Sequence, residues 1–185
     1  PYKIAETFRV LEGLYPGRID LGIGRAPGGM PGVNYALNRG QYPDVQSYPT
    51  QVSHLIDYLI GESPEGYEVK ATPFGSTVPP VFMLGSSGGS ASVAGQLGTG
   101  YTFAQFINGD GHPAAIDRYY NSFIPSDIMR EPQASVAVFA VIGDTEEEAE
   151  FFASSLDYAL LTLAQGKVRQ YFPSPEEASQ NKYNM

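Results

Sequence analysis

Apolar and polar residues alternate along the chain in blocks whose period changes from helical to extended and back. Over residues 2–15, apolar side chains recur at intervals of three and four, which predicts a helix that ends at Pro16-Gly17. Residues 19–24 then alternate apolar with small or polar residues, which predicts a strand with one apolar face.

The same criteria predict three further strands and four further helices. A continuous apolar run and two segments rich in aromatic or β-branched residues predict strands at 81–85, 101–106 and 135–142. Apolar stripes and helix-start signals, among them a capping box at Thr145 and Glu148, predict helices at 49–60, 90–97, 112–123 and 145–163.

Three segments rich in glycine, proline or polar residues separate or follow these elements. Residues 26–47 are predicted to form a long loop with at most one helical turn. Residues 62–79 are predicted to form an excursion with a short hairpin, and residues 167–185 a loop.

Strands that alternate with helices predict an α/β fold with parallel strands and right-handed crossovers. A doubly wound open sheet and part of a (β/α)₈ barrel both fit this order, and periodicity alone does not separate them. A complete barrel takes about 250 residues. The 185 residues supply only four predicted strands, so under the barrel hypothesis 1–185 is a single incomplete domain.

Composition narrows the classes of function. The formal net charge of −9 gives a surface that repels nucleic acid and anionic membranes. The absence of cysteine excludes disulfides, cysteine-ligated zinc and thiol catalysis, and two histidines do not suit a multi-histidine metal site. We therefore expect a cytoplasmic protein with no metal, no nucleic-acid partner and no membrane partner.

Two motifs follow predicted strands, at the end where parallel α/β folds bind ligands. The first is Gly22-Ile23-Gly24-Arg25-Ala26-Pro27-Gly28, in which glycines allow close approach and Arg25 offers a planar fork that suits phosphate. The second is Gly85-Ser86-Ser87-Gly88-Gly89-Ser90, whose free N–H groups and hydroxyls would form an anion cradle at a helix start.

Each motif also has a structural explanation: a surface arginine after a tight turn, and a flexible Gly/Ser connection. The second motif lacks the lysine of a phosphate-binding P-loop, so a nucleoside triphosphate is not the favoured ligand. If the two strands are neighbours, both motifs converge on one phosphate.

Three segments of the sequence resemble the bacterial luciferase-like monooxygenases, in particular the single-chain group related to the alkanal monooxygenase alpha chain. The segments are AETFRVLEGLYPGRIDLGIGRAPG at 5–28, FMLGSSGGSASVAGQL at 82–97 and YTFAQFIN at 101–108. The resemblance implies a partial (β/α)₈ barrel that runs from about its third helix to its seventh. Strands one to three and eight would be missing, and the chain alone would be inactive.

The resemblance also implies a flavoprotein chemistry. Members of the family use reduced FMN, supplied by a separate flavin reductase, and O₂ to oxidise a small organic substrate such as an aldehyde. A homodimer is expected on the same ground. The family's catalytic histidine falls outside this chain, since neither His54 nor His112 matches it, so no catalytic residue is assigned.

The matched positions imply a set of cofactor-binding residues. Arg25 would contact the FMN phosphate, together with Ser86, Ser87, Gly88 and Ser90. Ala104 and Gln105 would line the flavin ring.

Two positions depart from the luciferases proper. Those proteins have a glutamate where Ser86 stands and a second phosphate-binding arginine near the position of Tyr35, for which Arg39 is a possible substitute. Two alternatives to the FMN-dependent enzyme also stay open. One is a deazaflavin-dependent oxidoreductase of the same superfamily, and the other is a non-catalytic flavin-binding protein or subunit.

Overall fold

The computed structural model describes residues 1–25, 31–42, 44–75, 77–109, 111–167 and 171–181. The chain forms two compact units, Pro1–Val138 and Phe139–Met185. Whether both belong to the one incomplete domain predicted for 1–185 stays a prediction. The described elements of the first unit are α1 (Tyr2–Leu14), β1 (Leu21–Gly24), α2 (Pro31–Leu37), α3 (Tyr48–Ile60), β2 (Val81–Gly85), α4 (Gly88–Gln96), β3 (Gly100–Ala104), α5 (His112–Ser122) and β4 (Ala134–Ala137).

The four strands form one parallel sheet in the order β1-β2-β3-β4. The strands follow one another in sequence order without a reversal, which is the arrangement of a barrel segment rather than of a doubly wound sheet. The α/β class and the partial barrel are thereby confirmed. Within the described part of the chain, β1 and β4 each leave one edge without a partner strand.

One face of the sheet packs against the helices. Because side chains alternate across a strand, Leu21, Val81, Met83, Tyr101 and Phe103 share this face, and all five are buried. Each such side chain contributes about 1.5–3 kcal/mol relative to leaving it in water. The helix residues buried in the same two clusters are Ala5, Val52, Leu55, Tyr58, Leu59, Ala91, Ala94, Ala115 and Tyr119.

The opposite face of the sheet, which in a barrel points to the interior, carries small residues on the strands beside Phe82 and Leu84. Gly22 pairs with Phe82, which pairs with Gly100. A Cβ on Gly100 would lie 2.3 Å from Phe82 Cδ1, so the Phe82 ring occupies the space that a side chain at Gly100 would need. The next row is Gly24, Leu84, Thr102 and Ser135.

The described residues of the second unit contain two helices, α6 (Glu146–Ala164) and α7 (Pro175–Asn181), which contact each other. One half of the predicted capping box is present at the start of α6, since Thr145 Oγ1 accepts a hydrogen bond from the Glu148 amide at 3.2 Å. The reciprocal bond is displaced by one residue: Glu148 Oε2 accepts from the Asp144 amide at 2.5 Å rather than from the amide of Thr145, the N-cap.

Two predicted loops contain helices. The loop at 26–47 was expected to hold at most one turn, but α2 spans seven residues of it; residues 26–30 and 43 lie outside the described residues. The loop at 167–185 contains α7, whose start at Pro175 follows Ser174; residues 168–170 and 182–185 lie outside the described residues. The Ser174 hydroxyl accepts from the Glu177 amide at 3.2 Å. In both cases a proline at the first helical position marks a helix start rather than a break.

Two other expectations are corrected by hydrogen bonding. The fourth strand ends at Ala137, not at 142, because its only described partner, β3, ends at Ala104. The described residues of 62–79 contain no strand, so the predicted hairpin is wrong. There the Ser63 hydroxyl bonds to the carbonyls of Tyr67 and Val69, which holds the segment in turns instead of a ladder.

None of the helices in the described ranges is both long enough and apolar enough to cross a membrane.

Candidate functional site

The two predicted motifs lie at adjacent strand ends. Gly24 pairs with Leu84 in the parallel register, so Arg25 follows β1 at the level where Gly85 ends β2 and the serine-rich turn begins. Neighbouring strands are about 4.8 Å apart, which places both motifs at one edge of the sheet. The Arg25 side chain is exposed, and the rest of its motif, residues 26–28, lies outside the described residues.

The serine-rich turn is the N-terminus of α4. Ser87 is its N-cap, in an extended conformation, and its Oγ accepts from the Ser90 amide at 3.4 Å. Among the described residues, the amides of Gly88 and Gly89 have no hydrogen-bond acceptor. These two N–H groups, the Ser86 side chain and the Ser87 hydroxyl are therefore available to an anion at the positive end of the helix dipole.

Ser90 shapes this turn from the inside. Its hydroxyl donates to the Ser87 carbonyl at 2.7 Å, so its single proton is already used and is not free for an anion. A Cβ on Gly85 would lie 2.1 Å from Ser90 Oγ, so a glycine is needed there to make room. The arrangement thus favours a structural role for Ser90 over its predicted contact with phosphate.

The phenol of Tyr101 supports the turn from below. Its oxygen lies 3.0 Å from the Gly85 carbonyl, 3.3 Å from the Ser87 carbonyl and 3.3 Å from Ser90 Oγ. Burial raises the pKa of Tyr101, while its hydrogen bond with Ser90 acts in the opposite direction. The ring packs on Tyr119 with centroids 5.6 Å apart, so a fully buried stack fixes the start of α4.

The residues predicted to line a flavin ring follow β3. Ala104 is completely buried, so its side chain has no surface to offer a ligand in this structure. Gln105 is half-buried, and its amide donates to the Ala137 carbonyl at 3.0 Å. Three residues on, the Asn108 side chain donates to the Ser86 carbonyl at 3.1 Å and ties this segment to the serine-rich turn.

Two glycines at this edge adjoin space that no described residue fills. Within the described part of the chain, a Cβ on Gly24 would have only Leu84 Cβ nearby, at 4.0 Å, and one on Gly89 only Ser87 Oγ, at 3.7 Å. Neither glycine has a positive φ, so the backbone conformation does not require glycine at either position. A side chain at Gly89 would instead occupy space beside its own free amide, so the glycine leaves room there for a ligand of the size of a phosphate group.

A cavity of about 320 Å³ adjoins Arg25 on the helix side of β1. Its apolar wall includes Ile4, Ile23 and Leu55, and it contains none of the other predicted site residues. The Tyr48 hydroxyl in this cavity is buried and has no hydrogen-bond partner among the residues that the structure describes. Burial raises the pKa of Tyr48, and the positive charge of Arg25 acts against that rise.

A second arginine lies beside the turn, and the sequence did not indicate it. A Cβ on Gly88 would lie 3.2 Å from Arg118 Cδ and 3.3 Å from Arg118 Nε. Arg39, the substitute suggested by the resemblance, has a left-handed φ of 56° after α2, and the described contacts do not join it to the turn.

Metal chemistry finds no support in the described part of the chain. No group of three or more His, Asp or Glu residues there could hold a metal ion. The His54 ring packs edge-on against Tyr67 with centroids 5.5 Å apart, and the side chain of His112 lies outside the described residues.

Comparison with known proteins gives the family. Residues 1–182 match the family described as luciferase-like monooxygenase. The chain belongs to this family. The Bacillus subtilis protein YwcH is 47% identical over 99% of the chain and 56% of its own length. An Escherichia coli luciferase-like monooxygenase is 36% identical over 97% of the chain and 53% of its own length.

A solved structure extends the agreement to three dimensions. The crystal structure of apo-MsnO8 matches 99% of the chain and 54% of its own length, with a TM-score of 0.85 and 31% identity. The chain therefore spans about half the length of the relatives it matches. It is a luciferase-like barrel segment whose strand ends carry the arginine and the serine-rich turn.

Proposed function

We propose that this chain forms the phosphate-binding part of an FMN-dependent monooxygenase, which uses reduced flavin and O₂ to oxidise a small organic substrate. The observation that supports this most directly is the pairing of Arg25 with the open N-terminus of α4 at adjacent strand ends. Membership in the luciferase-like monooxygenase family selects the class of reaction.

The chemistry of the donors suits a phosphate dianion. Gly88 and Gly89 present amide N–H groups at the positive end of a helix dipole, and an anion there gains from both. Arg25 adds a charged planar fork that matches two phosphate oxygens. Because glycines stand at 24 and 89, the phosphate can approach the backbone closely.

The chain's own residues bind and orient the cofactor. When bound, reduced FMN supplies the electrons that activate O₂. The serine-rich turn, held by Tyr101 and Asn108, fixes one end of the cofactor at the rim. Arg25 neutralises its charge. Gly24, Thr102 and Ser135, which flank Leu84 in the interior row next to Phe82, are small and would leave room for the rest of the molecule.

The test compares FMN with riboflavin, which lacks the phosphate, by flavin fluorescence titration of the intact protein. Charge-assisted hydrogen bonds contribute about 1.5–3 kcal/mol, so Arg25→Gln should weaken FMN binding about 10- to 150-fold. Riboflavin affinity should change little. Arg130→Gln is the matched control, because Arg130 is an exposed arginine already paired with Asp127 at 3.1 Å.

Four other results would contradict the proposal in different ways. Equal losses for both flavins would indicate a damaged fold, and no loss for either would remove Arg25 from the site. Tight binding of a deazaflavin, seen by its absorption spectrum and not displaced by FMN, would favour the hydride-transferring oxidoreductase. Bound FMN without turnover of aldehydes or other small organic substrates would favour the non-catalytic flavin-binding protein.

The assembly around the site belongs to the same proposal. A separate reductase would supply the reduced flavin, and the protein would act as a homodimer. Both follow from the resemblance to the family and stay predictions.

A further inference from the structure

We propose that Arg118 is a second phosphate-binding residue of this site and takes the place of the arginine that the luciferases proper carry near position 35. The proposal rests on the proposed function, since it assigns a further contact to the same phosphate. It begins from the position of Arg118 on α5, where the side chain crosses the first turn of α4 beside Gly88.

Close packing of α4 against α5 produces this position. A Cβ on Gly95 would lie 2.3 Å from Ser122 Oγ and 2.9 Å from the Tyr119 carbonyl oxygen, so the two helices approach as near as their backbones allow. Arg118 lies one turn before Ser122 on α5. Its aliphatic stem and Nε lie within 3.2–3.3 Å of the position of a Cβ on Gly88, the first residue of α4.

The electrostatics of that position call for an anion. A helix N-terminus carries a partial positive charge, so a cation beside it is unfavourable unless a negative charge lies between them. The first turn of α4 contains no acidic residue. Within the described residues, the Arg118 guanidinium has no carboxylate partner, since the ion pairs there join Lys70 to Glu62 and Arg130 to Asp127.

Gly88 supports the same conclusion from the backbone side. Its φ is not positive, so the helix does not need a glycine there; the crowding comes from the Arg118 side chain at 3.2 Å. A glycine at this position therefore keeps Arg118 against the helix start, beside the free amides of Gly88 and Gly89. Arg118 reaches the turn from α5 and Arg25 follows β1, so a phosphate there would meet two guanidinium groups carried by different elements.

The experiment measures FMN and riboflavin affinities of the intact protein for Arg118→Gln, Arg118→Lys and the control Arg130→Gln. Because Arg118 is exposed and screened by solvent, we expect Arg118→Gln to weaken FMN binding about three- to tenfold. Riboflavin affinity and the control should be unchanged. Arg118→Lys should restore part of the loss, since it keeps the charge but not the fork.

Arg25→Gln, measured in parallel, separates the two levels of inference. A loss with Arg25→Gln but none with Arg118→Gln would overturn the role of Arg118 and leave the proposed function standing. Failure of the unaltered protein to bind FMN would overturn both. Equal losses for FMN and riboflavin in Arg118→Gln would show a structural role and overturn the assignment.

A second variant tests the geometry. Gly88→Ala places a methyl group 3.2 Å from Arg118 Cδ and should push the side chain away from the turn. If Arg118 binds the phosphate, Gly88→Ala weakens FMN binding more in the unaltered protein than in the Arg118→Gln background. Equal effects in both backgrounds would contradict the proposal.

Discussion

The starts of α4 and α6 are built alike in their hydrogen bonds and differ in their charge. Each has a hydroxyl N-cap, Ser87 or Thr145, whose oxygen accepts from the amide three residues on. The first turn of α6 contains Glu146, Glu147 and Glu148, whereas that of α4 contains no acidic residue.

The difference shows which helix end is complete by itself. The glutamates of α6 supply the negative charge that a helix start favours, so that end needs no ligand. The start of α4 has no such negative charge of its own, and Arg25 and Arg118 add positive charge beside it. An N-cap alone therefore does not indicate an anion-binding site. A capped helix start that has no acidic residue of its own, and has cationic side chains nearby, is a candidate for one.

The largest expected effect comes from giving α4 the charge that α6 already has. Gly89→Asp should stabilise the helix start slightly, because Gly89 is in the first turn and a Cβ there meets only ordinary contact at 3.7 Å. It should also weaken FMN binding about 100-fold, since the carboxylate occupies and repels the phosphate position. Fluorescence titration with FMN and riboflavin measures the change.

Gly89→Ala is the matched control, because it adds the same Cβ without the charge. We expect it to weaken FMN binding by much less than Gly89→Asp. If Gly89→Asp leaves FMN affinity unchanged, the start of α4 is not the phosphate position.

Removing each N-cap should have a smaller effect, and the loss of stability should be equal in the two helices. Ser87→Ala and Thr145→Ala should each lower the stability of the capped helix by about 1 kcal/mol, because one amide loses its acceptor. Amide hydrogen exchange in α4 and α6 measures this directly. Only Ser87→Ala should also reduce FMN affinity, since only that hydroxyl faces the proposed ligand; a similar reduction with Thr145→Ala would break the comparison.

The smallest expected effect is a difference in response to acid. The pKa of Glu147 lies below the ordinary 4.5, because the carboxylate forms hydrogen bonds with its own backbone amide and with the Thr145 side chain. A lowered folded pKa means stability that is fully present above pH 4.5 and is lost as the pH falls through the lowered value. Hydrogen exchange should therefore show α6 loosening in acid before α4, whose first turn has no carboxylate to protonate.

Local sequence patterns predicted the strands correctly where a neighbouring strand is present to pair with them. The alternation at 19–24 and the apolar run at 81–85 became β1 and β2 because each has a neighbouring strand of matching length. The apolar residues after Ala137 have equal β propensity, yet β3 ends at Ala104 and leaves them without a ladder. Propensity does not indicate where a partner strand stops.

The residues of the candidate site likewise fall into those that local sequence patterns predict and those that they do not. Arg25 and the serine-rich turn were predictable because each follows a strand, and parallel strands end at one edge. The roles of Tyr101, Asn108 and Arg118 depend on contacts that span 14, 22 and about 30 positions along the chain. Tyr101 in particular has the pattern of an ordinary core residue, and only its hydroxyl partners reveal that it holds the turn.

The contact between Phe82 and Gly100 limits how this barrel segment can diverge. The ring fills the volume that any side chain at position 100 would need, so a substitution there is tolerated only when position 82 becomes smaller. The two positions should thus change together over evolutionary time, as a large–small pair that exchanges members. Leu84, in the next row of the same face, is free of that constraint. Position 84 can therefore change in size between relatives, and alter the depth of the barrel interior, while the Phe82–Gly100 pair stays unchanged.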